Sequence, residues 1–96
     1  MPKKDVEKFL EAKELVLENL EVLESWISQY EDSHIDPDYA LYNEIEILMD
    51  QTQVCRSYLD LDEIIIKCRE VEQNIDVWLS NHGQTQMELS WPAMER

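Results

Sequence analysis

The stretch QVCRSYLDLDEIII, residues 53–66, decides the fold, because it either carries one helix straight through or turns the chain back on itself. Upstream of it, Leu41, Ile45, Leu48, Thr52, Cys55 and Leu59 recur at steps of four and three, the spacing of one helix face. Downstream, Ile64, Cys68, Val71, Ile75 and Trp78 follow the same steps in a different phase. An unbroken helix in the first phase puts Asp62, Arg69, Gln73 and Asp76 into the core. A turn near Asp60 removes that conflict, and Asp60 with Glu63 three residues on forms a capping box in which Asp replaces Ser or Thr. The rival reading is one helix from Pro37 to His82, since the junction holds neither Gly nor Pro.

Mirror spacing favours the turn. Leu59 and Ile64, Cys55 and Cys68, Thr52 and Val71, Leu48 and Ile75, and Ile45 and Trp78 are each equidistant from a point between Leu61 and Asp62. In an antiparallel hairpin, such pairs share a level. A first helix relates to the second in the same way. Its apolar residues Phe9, Val16, Leu20, Leu23, Ile27 and Tyr30 recur at steps of three and four, with Lys13 where an apolar residue is missing, and those from Val16 to Tyr30 mirror Cys55, Thr52, Leu48, Ile45 and Leu41 about the loop YEDSHIDPDY. In that loop Ile35, Asp36 and Pro37 have the order of a hydrophobic staple, N-cap and first helical residue. The expected fold is all-α: an antiparallel up-down-up three-helix bundle with long, coiled-coil-like helices at about 4–31, 37–59 and 62–82. The bundle forms one domain over residues 1–83. Residues 84–96, beyond the helix stop at His82-Gly83, make a flexible C-terminal tail.

Composition agrees. A chain of 96 residues with one Gly, three Pro and 44% apolar residues has little material for hairpin turns and much for helices. Twenty-two acidic against eight basic residues give a formal charge of −14, which disfavours direct binding to nucleic acid or to an anionic membrane. A basic protein partner, mimicry of a polyanion such as DNA, or a merely solvated surface remain. The opening residues MPKKDVEKF hold no apolar run of signal-peptide length, and no segment reaches the roughly 20 apolar residues of a membrane span, so a cytoplasmic protein is expected.

Helix 1 carries the most pointed pattern. Glu7, Glu11, Glu14, Glu18 and Glu21 stand at steps of four and three, an arrangement in which like charges cost stability. They fill an arc about 80° wide over an axial length of about 21 Å, or about 5 Å per charge, against about 3.4 Å per phosphate along one DNA strand. The apolar arc of the same helix covers more than half of its circumference. Leu15, Val22 and Trp26 on one edge, or Val6, Leu10 and Leu17 on the other, exceed what two neighbouring helices need, which marks an interface. The competing reading is that the tail folds back and covers one edge with Met87, Leu89 and Trp91; the same residues, in MELSWPAM, also read as a linear recognition element.

Catalytic chemistry is weakly signalled. Glu31, Asp32, His34, Asp36 and Asp38 crowd one loop, but it lacks the Gly and the bidentate Glu of an EF-hand, so no metal or cofactor is expected. His34 and His82 have no nucleophile beside them, and a narrow bundle offers no cleft for paired carboxylates, so no enzyme is expected. Cys55 and Cys68 read as small core residues facing each other. Two functions follow. The first is an acidic inhibitor or regulator docking on a basic, nucleic-acid-binding partner. The alternative is a structural or adaptor subunit, homodimeric or heteromeric, joined through the apolar edges of helix 1.

Overall fold

The computed structural model describes residues 3–31, 39–81 and 89–92. Three helices follow in order: α1 (Lys3–Glu31), α2 (Tyr39–Val54) and α3 (Tyr58–Asn81), with no strand among the described residues. Their pairing is up-down-up. Lys13, early in α1, reaches the carbonyls of Gln53 and Cys55 at the end of α2, while the hydroxyls of Ser28 and Tyr42, late in α1 and early in α2, are 3.0 Å apart. Phe9 meets Tyr58 edge to face at 5.1 Å, so α1 and α3 start at the same end. The bundle measures 50 × 21 × 17 Å.

The core is built from the periodic residues. Val16, Leu20, Leu23 and Ile27 of α1, Ile45 of α2, and Leu61, Cys68, Ile75 and Leu79 of α3 are sealed from solvent. Fully burying a side chain of the Leu or Ile kind contributes about 1.5–3 kcal/mol, so this seam is the main source of stability. Thr52 sits in it without an orphaned hydroxyl, because its Oγ1 donates to the Leu48 carbonyl at 2.7 Å.

The turn between α2 and α3 exists, but it lies at Cys55–Ser57 rather than near Asp60. Ser57 is the N-cap: its Oγ accepts the Asp60 N–H at 3.2 Å, and its carbonyl accepts the Leu61 N–H at 3.1 Å. The cap is therefore Ser57, one turn ahead of the capping box expected at Asp60 with Glu63. Leu59, expected in the core, falls in the first turn of α3 and is 60% exposed, and Leu61, Ile65 and Leu79 are buried instead. Trp78 is half-buried. Leu48 and Val71 line one groove between α2 and α3, and Cys55 and Ile64 line another. Both cysteines are free and buried. The cap expected at Asp36-Pro37 lies outside the described residues.

Lys13 has a structural task in place of the missing apolar contact. Its Nζ donates to the carbonyls of Gln53 and Cys55 at 3.1 and 2.9 Å and lies 5.7 Å from the centre of the Phe9 ring. A cation at the carbonyl end of a helix satisfies orphan acceptors and the dipole together. No helix among the described residues is long and apolar enough to cross a membrane.

Candidate functional site

Glu7, Glu11, Glu14, Glu18 and Glu21 are all exposed, and they lie opposite the α1 core stripe of Val16, Leu20, Leu23 and Ile27. α1 is a single helix through the whole row, so the five carboxylates form one line about 21 Å long. Glu44, Glu46 and Asp50 of α2 and Glu63 and Glu70 of α3 are also exposed, against Arg56, Lys67 and Arg69 on the same two elements and their turn. Glu72, which by its acidity belongs with that surface, does not stand on it: it is 6% exposed.

The apolar edges divide differently from the sequence pattern. Leu15 and Val22 are each 37% exposed, and Leu10 and Val6 on the opposite edge are exposed too. Trp26 is 9% exposed and belongs to the core, so it does not stand on the surface with Leu15 and Val22. The tail accounts for part of this. Residues 89–92 lie against the bundle, with Leu89 and Trp91 packed on the core, where a flexible segment was expected. Met87 lies outside the described residues.

Two buried polar side chains hold the tail. Glu72 accepts the Leu89 backbone N–H on Oε2 at 2.8 Å and the Trp91 indole N–H on Oε1 at 3.1 Å. Asn19, also buried, donates from Nδ2 to the Ser90 carbonyl at 2.7 Å. A buried carboxylate needs such partners, since leaving it without donors carries the full desolvation penalty. Sequence reasoning did not find this clamp, although a signal was there. Asn19 is the polar middle of a column seven residues apart, Ala12, Asn19 and Trp26, and Glu72 is the middle of another, Ile65, Glu72 and Leu79.

Among the described residues no three His, Cys, Asp or Glu side chains are gathered in a way that holds a metal ion. Residues 32–38 of the acidic loop fall outside that description. Burial pushes the Cys68 thiol up to about 12, which keeps it neutral and poorly nucleophilic at neutral pH. A surface groove of about 320 Å³ between α2 and α3 is lined by Glu44, Ile47, Gln51, Lys67, Glu70 and Asn74 over a floor of Leu48 and Val71. Comparison with protein-family models, with curated proteins and with solved structures gave no match.

Proposed function

We propose that this chain is a non-catalytic acidic binding protein, an inhibitor or regulator that sets the glutamate row of α1 on a basic surface of a partner protein, and that the surface it covers is one that otherwise holds nucleic acid. The observation that supports this reading is the line of five exposed carboxylates on one rigid helix, with a spacing of the same order as phosphates along DNA. Like charges at these spacings cost a few tenths of a kcal/mol per pair. A partner that neutralises them removes this cost on binding. The chain's −14 charge steers encounter with such a partner and rejects acidic competitors. In this reading the protein works in the cytoplasm and needs neither metal nor cofactor.

The test is retention of heparin-binding proteins on the immobilised full chain, with elution by salt and by duplex DNA. Support is a retained protein released by both, and lost when Glu11, Glu14 and Glu18 are together replaced by Lys. Retention that survives the triple substitution, or that ignores salt, sinks the proposal.

A second reading keeps one observation of its own: Leu10, Leu15 and Val22 remain exposed on both flanks of the row. These edges suit a homodimer or a heteromeric helical assembly. Light scattering decides it: a dimer that persists at high salt and dissociates on Leu15→Glu supports this reading, and a monomer at both salts rejects the homodimer.

A further inference from the structure

We propose that the groove between α1 and α3 is a peptide-recognition site for an extended segment of the pattern aliphatic–x–tryptophan, which residues 89–91 of the chain occupy in cis. This inference uses a different face from the glutamate row and stands apart from that reading. Its ground is the kind of contact the tail makes. Glu72 reads a backbone N–H at the first position and an indole N–H at the third, one on each carboxylate oxygen, while Asn19 reads the backbone carbonyl at the second. The exposed Ser90 side chain takes no part in these three bonds, so the middle position is open to other residues. The first position asks for an aliphatic side chain that packs on the core, as Leu89 does, and the third for a ring bearing an N–H.

Simple closure of the core does not require this chemistry. A groove to be sealed by apolar side chains is sealed at less cost without a carboxylate, because an unpaired charge there is strongly penalised. Two helices instead supply complementary acceptor and donor groups, each more than nine-tenths buried, aimed at backbone groups of the successive residues Leu89 and Ser90. Reading main-chain groups for affinity and alternate side chains for specificity is how extended peptides are recognised. Residues 82–88 tether the cis segment to the end of α3, so a free peptide competes with an effective concentration in the millimolar range. The closed site is therefore the resting state.

The experiment uses a fluorescein-labelled peptide of residues 86–96, QMELSWPAMER, titrated onto the full chain and onto the full chain carrying Trp91→Ala, with anisotropy as the readout. The peptide holds two acidic residues and one basic one, so attraction to an acidic protein cannot imitate binding. Expected is saturable binding to the Trp91→Ala chain at least about tenfold tighter than to the wild type, where the cis segment competes. Binding is lost when the peptide carries Ala in place of its Trp, and when the protein carries Glu72→Ala in addition. Equal binding to both chains, or none to a Trp91→Ala chain with wild-type circular dichroism, overturns the proposal. If Trp91→Ala unfolds the chain, the wild type answers alone: millimolar unlabelled peptide accelerates hydrogen exchange at the Leu89 amide by displacing it from Glu72, and unchanged exchange overturns the proposal.

Discussion

The ammonium of Lys13 donates to the carbonyl oxygen of Cys55 at 2.9 Å, tying the first third of α1 to the turn between α2 and α3 across 42 positions of sequence. The same nitrogen caps Gln53 and leans on Phe9, whose ring meets Tyr58 at the start of α3. One cation thus joins all three helices at one end of the bundle. Lys13→Met keeps most of the apolar stem and removes the donor, so it isolates the cap. The expected loss is about 1–2 kcal/mol, the range for a partly exposed hydrogen bond to a charged group. Urea unfolding monitored by circular dichroism checks it, and a midpoint equal to wild type contradicts the capping role.

Ser57 defines where α3 begins. Ser57→Ala removes the acceptor for the Asp60 N–H and costs about 1 kcal/mol, as N-cap losses do. Glu63→Ala, which would break a capping box at Asp60, costs less than half of that. Thermal melts of the two variants side by side settle which turn carries the cap.

The glutamate row is expected to cost stability in the free protein. Glu14→Gln lifts both like-charge pairs, with Glu11 and with Glu18, and raises stability by about 0.4–1 kcal/mol at low salt. The gain shrinks at about 0.5 M salt, where the Debye length drops to a few ångströms. Differential scanning calorimetry at both salts reads this; a melting temperature that falls on substitution argues that the row is held by contacts within the bundle.

Cys68 gives a pH dependence with a definite sign. Burial raises its thiol from 9.0 to about 12. Below pH 9 the thiol is neutral in the folded and unfolded chain alike, and its contribution is fully present. Between about 9 and 12 the unfolded chain loses the proton while the folded chain keeps it, so stability falls as pH rises, by up to about 1.4 kcal/mol per unit. Cys68→Val removes that component. Urea midpoints at several pH values across this window are expected to fall less steeply for the variant than for the wild type, and parallel slopes would refute the assignment.

Helix faces were legible in the sequence because periodicity reports directly on which side is buried: Val16, Leu20, Leu23 and Ile27 were placed by it, as were Ile45, Leu48 and Thr52. The break in phase between α2 and α3 was legible as well. Its position was not, because Asp60 and Ser57 are both competent caps and a helix can shed its last turn at little cost. That one-turn displacement accounts for Leu59, which falls in the exposed first turn of α3. The exposed row from Glu7 to Glu21 followed from arithmetic on the helix alone. The burial of Glu72 did not, because its partners are Leu89 and Trp91, and contacts between segments so distant leave only isolated polar residues in apolar columns as their trace.

Glu72 also imposes an order of events on the folding chain. Its carboxylate sits in the α3 column between Ile65 and Leu79, and two of its acceptor sites are met by N–H groups that follow it in sequence by 17 and 19 residues. On a ribosome, α1, α2 and α3 emerge before Leu89 and Trp91 do. Until those arrive, water must solvate the carboxylate, because its dehydration without donors is too costly. The Glu72 carboxylate consequently keeps its water until Leu89 and Trp91 replace it. Glu72 thus makes the final packing of α3 depend on a segment that is synthesised after it.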